Sequence, residues 1–83
     1  MSREEIFGEV VEIFREVFDD EDLEINDNTN SDDIEDWDSL ENINLMVLME
    51  NTFHIKFQIS EIGDLENVGD MVDLIMKKVN ENE

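Results

Sequence analysis

Hydrophobic residues recur at helical spacing in three stretches of this chain, and the polar segments between them set the order of the elements. Ile6, Phe7, Val10, Val11, Phe14, Val17 and Phe18 follow an i, i+3, i+4, i+7 pattern that predicts a helix with one apolar face. Ser2, with Glu5 three residues later, has the form of a capping box that starts it. A second helix is predicted from Asp38-Ser39-Leu40 to about Asn51. Leu40, Ile43, Leu45, Met46, Val47, Leu48 and Met49 make it the most apolar segment, which predicts a place at the centre of the core. Asp38 is placed to cap its first amides, with Glu41 completing a box-like arrangement. The last helix carries Val68, Met71, Val72, Ile75 and Val79 on one face and Asn67 as its cap. Lys77 and Lys78 fall in its final turn, where cations oppose the dipole.

The intervening segments read differently. From Asp19 to Asp36, Asn26, Asn28, Asn30, Ser31 and paired aspartates favour turns over helix, and Leu23, Ile25 and Ile34 are expected to pin the segment to the core. A loop this long is usually functional or disordered, and because it leads directly into Ser39 the functional reading is favoured. Phe53, Ile55 and Phe57 alternate with His54 and Lys56 as a strand would, but a lone strand has nothing to pair with. An extended connector that inserts aromatics into the bundle is predicted instead. Ser60 to Asp64 leaves room for one short helical turn. The predicted fold is therefore all-α: a small bundle of three main helices plus one short helix, with a long loop after helix 1, in a single domain over residues 1–83.

Charge narrows the partners. Twenty-five acidic residues against five basic ones give a formal charge of −20, which excludes nucleic acid and leaves basic protein surfaces as the complement. The same acidity also serves solubility by itself. No segment approaches the roughly 20 apolar residues of a membrane span, and the first residues lack a signal-peptide core. With no cysteine there is neither disulfide nor thiolate metal site, and a monomer in the cytoplasm is expected. Asp27, Thr29, Ser31 and Asp38 fall on the first, third, fifth and twelfth places of an EF-hand-like loop, with Ile34 at its apolar position. Asp32 stands where glycine is needed, and the last ligand is not glutamate. No metal site is predicted, only loose divalent binding that relieves repulsion among the carboxylates.

Few side chains offer chemistry, and Ser39 stands out among them. A serine hydroxyl is a poor nucleophile without a base, and the one histidine, His54, lies fifteen residues away beyond a helix. No triad can be assembled, so no catalytic residue is assigned. The more economical chemistry is an exposed hydroxyl modified by another enzyme, with the attached group doing the work. A helix N-terminus suits a phosphodiester there, although Asp36, Asp38 and Glu41 oppose its charge and fit better against a basic modifying enzyme or a metal ion in its active site. Taken alone, Asp38-Ser39-Leu40 also reads as a plain helix cap.

Asp38-Ser39-Leu40, after a long acidic loop and at the head of an apolar helix in an acidic chain of this length, resembles the attachment motif of acyl carrier proteins. The resemblance covers nearly the whole chain, since the helices and loop fall in the family's order. It implies that Ser39 carries a 4'-phosphopantetheine arm from coenzyme A, whose thiol holds acyl groups as thioesters. It also implies a phosphopantetheinyl transferase that recognises the flanking Asp38 and Leu40, and acyl-loading and acyl-processing enzymes with basic docking surfaces. Glu41 and Glu50 match acidic positions of the family's docking helix, and Trp37 and Met46 are counted with them as candidate contacts. Trp37 has a second reading, as a packing residue that fixes the chain's approach to the helix. Met46, Met49, Met71 and Met76 read as core filling, or as a deformable interior that parts around a tethered acyl chain. His54 is expected to be solvated or lightly packed.

Asn44 and Asn51 stand where the family has further acids, which lowers the charge of the docking face and leaves selectivity to shape and apolar contact. The resemblance thus implies a specialised stand-alone carrier of a fatty-acyl or polyketide-type pathway. An aminoacyl or peptidyl carrier of nonribosomal type is the alternative within the class. An acidic helical adaptor without a prosthetic group is the alternative outside it.

Overall fold

The computed structural model describes residues 2–81, so Met1, Asn82 and Glu83 of the predicted 1–83 domain lie outside the described residues. Its elements are α1 (Arg3–Val17), α2 (Ser39–Phe53), α3 (Ile59–Gly63) and α4 (Val68–Glu81), with no strand among the described residues. The all-α expectation holds, including the short third helix and the long loop after the first.

Ser2 starts α1 as predicted. Its Oγ accepts from the Glu5 N–H at 3.2 Å, and its own N–H donates to Glu5 Oε1 at 3.1 Å. These bonds, the backbone one foremost, hold the Glu5 carboxyl below the usual glutamate range. The buried stripe is Ile6, Val10, Ile13 and Phe14. Ile13 joins the predicted face, while Phe7, Val11, Val17 and Phe18 sit half-buried at its margins.

The prediction that α2 forms the centre of the core needs correcting. α1 takes that place and packs against both α2 and α4. α2 buries Leu45, Met46, Met49 and Phe53, and leaves Leu40 (65 %), Ile43 (60 %) and Val47 (47 %) exposed. A surface helix presents only one stripe to the core, so apolar residues in excess of that stripe face outward. Phe14, Ile6, Leu45, Met49, Met71 and Ile75 are fully buried, each contributing about 1.5–3 kcal/mol relative to exposure. In a chain without cysteine, this packing must supply most of the stability.

α2 also runs two residues beyond the predicted Asn51. His54 ends it in the left-handed region (φ 57°, ψ 48°), a conformation in which histidine is one of the more tolerated side chains, and its N–H donates to the Glu50 carbonyl. Phe53 therefore reaches the core from a helix rather than from an extended connector. Ile55, 4 % exposed, and half-buried Phe57 follow it from the connector as expected.

The long loop is tied down by its backbone. Asn26 and Asn30 close turns by accepting from the N–H groups of Asn28 and Asp32, and buried Thr29 accepts from the Asn26 N–H at 2.9 Å through Oγ1. Ile34 is buried, with Leu23 and Ile25 packed against the core. The predicted Asn67 cap accepts from the Asp70 N–H at 2.8 Å, while the first amides of α4 turn to the loop: Val68 N–H to the Thr29 carbonyl at 2.9 Å and Gly69 N–H to the Asp27 carbonyl at 2.8 Å. Arg3 adds a side-chain clip, its guanidinium reaching both Asp73 and Asp27; these two carboxylates raise its already high pKa. Asp27 and Thr29, two places of the EF-hand-like pattern, are thus engaged with Arg3 and Asn26.

Gly69 is where the loop and α4 come closest. A Cβ there would lie 2.9 Å from the Asp27 carbonyl oxygen and 3.0 Å from Asp27 Cβ. Because the obstacle is backbone, it cannot rotate away. Gly69→Ala is expected to destabilise the fold by about 1–3 kcal/mol, read from denaturant midpoints. An unchanged midpoint would mean that the loop yields freely at this seam.

Candidate functional site

The loop delivers Ser39 to the first position of α2. Asp38 is the cap, its Oδ1 accepting from the Glu41 N–H at 2.9 Å while its carbonyl accepts from the Asn42 N–H at 2.9 Å. The reciprocal half of the predicted box does not form. Glu41 Oε1 instead accepts from Asn44 Nδ2 at 3.4 Å, and the Asp38 N–H donates to the Asp36 carbonyl.

Trp37 locks the approach to the helix. Its indole packs edge-on against Phe14 (centroids 5.2 Å apart, planes at 85°) and lies 6.5 Å from Phe18. Its Nε1 donates to Asn42 Oδ1 at 3.0 Å. Trp37 precedes the cap and Asn42 is the fourth helical residue, the two positions that an apolar staple normally joins; here a hydrogen bond joins them. The structure therefore gives Trp37 the packing role. Sequence reasoning passed over Asn42, although a tryptophan and an amide at those two positions are the signal that marks the pair.

Ser39 is exposed, as are Asp38 and Leu40 on either side. Beside it opens a cleft of about 330 Å³, lined among others by Ser39, Trp37, Asn42, Met46, Leu65 and Met71. Its mouth is polar, with carboxylates of Asp38 and Glu66 and no lysine or arginine, and buried Met46 and Met71 lie deeper. The hydroxyl has no base beside it: His54 is exposed at the opposite end of α2 and lines a different cleft. This site can accept a group on Ser39 Oγ and give it room, but it does not activate the oxygen itself.

Two candidate contacts lie elsewhere than expected. Met46 is 4 % exposed and faces inward. Glu50 Oε2 accepts from the Phe57 N–H at 2.8 Å, so its carboxylate braces the connector after α2. The outward residues of the helix are Ser39, Leu40, Ile43, Asn44, Val47, Asn51 and Thr52.

α3 walls the cleft through half-buried Ile62. It has no buried residue, so polar bonds matter to its placement: Glu61 Oε1 lies 2.8 Å from Lys78 Nζ on α4 and accepts from the Gln58 N–H at 2.8 Å. Lys78, then the Gln58 N–H, hold the Glu61 carboxyl below the usual glutamate range. The stabilisation from this depressed carboxyl is complete above about pH 4.3 and is lost as pH falls through the lower folded value. Hydrogen-exchange protection of α3 is therefore expected to decline below that range before protection of α2 does, and Lys78→Ala should shrink the pH step to what the Gln58 N–H sustains. Parallel decline in both helices would contradict the latch.

This fold and site define a class: small helical proteins that present an exposed serine at a helix head for attachment of a prosthetic arm. A protein-family model described as the phosphopantetheine attachment site matches residues 8–75. Acyl carrier proteins of two strains of Borreliella burgdorferi are each 38 % identical over 80 residues, covering 94 % of this chain and 98 % of theirs. The solution structure of the holo acyl carrier protein from Geobacter metallireducens matches with a TM-score of 0.87 at 41 % identity, covering 92 % of this chain and 87 % of that one. The crystal structure of the Thermotoga maritima acyl carrier protein matches with a TM-score of 0.80 at 30 % identity, covering 100 % and 96 %. The chain belongs to the acyl carrier protein family, whose prosthetic group is 4'-phosphopantetheine, and it is a carrier rather than an enzyme.

Proposed function

We propose that this chain holds acyl intermediates as thioesters on a 4'-phosphopantetheine arm anchored at Ser39 Oγ, and passes them between enzymes of a dedicated fatty-acyl or polyketide-type pathway. The observation that carries this reading is the exposed Ser39 hydroxyl, held at the head of α2 by the Asp38 cap and the Trp37–Asn42 bond. In the attachment step Ser39 Oγ attacks the pantetheine-bearing phosphorus of coenzyme A. An Oγ–P bond forms, the P–O bond to the neighbouring phosphate breaks, adenosine 3',5'-bisphosphate leaves, and the hydroxyl proton passes to a base of the transferase. The thiol of the attached arm supplies the thioester chemistry. The chain's own residues fix the oxygen, leave it accessible, and offer the cleft beside it.

Asp38 and Leu40 flank the serine as recognition residues for the transferase. Leu40, Ile43 and Val47, outward on α2 with Glu41 nearby, form the face on which partner enzymes with basic and apolar surfaces dock. Acyl rather than aminoacyl cargo is supported by relatives that are themselves acyl carrier proteins. Asn44 and Asn51 on the docking face support a dedicated pathway. Intact mass after incubation with coenzyme A and a promiscuous phosphopantetheinyl transferase tests the anchor: a phosphopantetheine-sized gain is expected, and an unchanged mass would favour the acidic adaptor. Full rescue of a strain deprived of its fatty-acid carrier would overturn the dedicated pathway.

A further inference from the structure

Two half-buried asparagines line the cleft beside Ser39: Asn42 on α2, and Asn67 just ahead of α4. Each gives its amide oxygen to a group that can only donate. Asn42 Oδ1 accepts from Trp37 Nε1 at 3.0 Å, and Asn67 Oδ1 accepts from the Asp70 N–H at 2.8 Å. Turning either amide over would set donor against donor, so both orientations are fixed. The group left over in each is the Nδ2 amide, which donates to no acceptor among the described residues. No side-chain nitrogen or oxygen is both buried and unpartnered there, so these two NH2 groups stand open to solvent and to a ligand.

The rest of the lining decides which acceptor suits them. Asp38 and Glu66 put carboxylates at the mouth with no lysine or arginine beside them, so an anionic acceptor is repelled. Trp37, Met46, Leu65 and Met71 supply apolar wall for a short alkyl stretch. An alkyl chain that filled the whole cleft would strip water from both NH2 groups and return no bond. A neutral carbonyl or hydroxyl oxygen restores that bond.

Building on the Ser39 reading, we propose that this cleft discriminates among tethered cargoes: it retains acyl groups bearing a neutral hydroxyl or oxo oxygen near the thioester, in preference to plain alkyl and to carboxylated ones. Asn42 Nδ2 and Asn67 Nδ2 are the donors, and the arm folds back from Ser39 to bring the oxygen to them. Cargo held in this way is sheltered from reagents in solution. The amide carbonyls of the arm itself offer the same chemistry, so the test separates arm from cargo.

Hexanoyl, 3-hydroxyhexanoyl and malonyl arms are loaded from the matching coenzyme A thioesters with a promiscuous phosphopantetheinyl transferase, each product confirmed by intact mass. Cleavage by hydroxylamine is then followed, every rate divided by that of the same thioester on free pantetheine. The 3-hydroxyhexanoyl form is expected to react about threefold more slowly than the hexanoyl form, and the malonyl form no more slowly than its free counterpart. Asn42→Asp and Asn67→Asp each keep an oxygen for Trp37 or Asp70 and remove the NH2 donor. Each should shrink the difference, and the double variant should abolish it. The added charge acts on both uncharged cargoes alike, so the difference between them isolates the donors.

Equal shielding of those two cargoes in the parent overturns the proposal, as does a difference that survives in the double variant or a shielded malonyl arm. Side-chain amide resonances of Asn42 and Asn67 that move on adding the unloaded arm, and no further with the hydroxyacyl cargo, would assign the donors to the arm and overturn it too. Failure to gain the mass of any arm would overturn the carrier reading instead, before any cleavage is measured.

Discussion

Ser39→Ala is expected to abolish phosphopantetheine uptake completely while leaving the fold as stable as the parent. The two readouts separate because Ser39 has no part in the cap: Asp38 Oδ1 holds the Glu41 N–H, and Asp38 is untouched. The Ser39 side chain is exposed at the first helical position, outside the interior where helix propensity counts most, so the thermal midpoint should hold. Other hydroxyls are poor substitutes. Thr29 is buried, Ser2 is committed to its capping box, Ser31 lies in a turn of the loop, and exposed Thr52 and Ser60 lack the Asp and Leu flanks of Ser39. Intact mass before and after transferase treatment, with circular dichroism alongside, gives the result. A phosphopantetheine-sized gain in the variant would move the anchor to another residue.

The second large effect lies in the core. Phe14 is fully buried, with Trp37 edge-on at 5.2 Å and Phe18 at 6.0 Å. Phe14→Ala is expected to cost about 3–5 kcal/mol, since the cavity beneath Trp37 cannot close fully. Domains of this kind have about 5–15 kcal/mol in total, so the variant should sit close to unfolding at 37 °C. The damage also reaches the site: without its edge contact Trp37 loses its seat, and Ser39 of the folded fraction should be modified more slowly. Phe14→Leu keeps most of the volume and should recover much of both. A denaturant midpoint shifted by less than about 1 kcal/mol equivalent would show that Phe14 does not hold this corner together.

Much of this architecture was legible because periodicity and caps are local. Ser2 with Glu5, and Asn67 ahead of Val68, each predicted a bond that forms. Leu23, Ile25 and Ile34 told which parts of the loop face inward because so few apolar residues interrupt it. The errors fall where neighbours decide. Hydrophobic content puts α2 at the centre because it does not say which side of a helix meets another helix. Glu41 was expected to close a box that depends on where the Asp38 N–H turns, and that N–H turns to Asp36. Phe53 reads as extended in the sequence because alternation over a few residues cannot be told from a helix end. Glu50 matches an acidic position of the docking helix, and only the folded path of the connector shows that its carboxylate also accepts from the Phe57 N–H.

The apolar stripe on α2 also alters the meaning of the acidity. Leu40, Ile43 and Val47 present to solvent the kind of surface through which identical molecules stick to one another. Between two copies that attraction is opposed by a formal charge of −20 on each, whereas a basic enzyme feels the same charge as an invitation. The acid residues scattered over α1, the loop and α4 thus act as a filter on encounters. Repulsion of that size works against pairing of two such stripes, while the attraction of a basic surface works toward covering one.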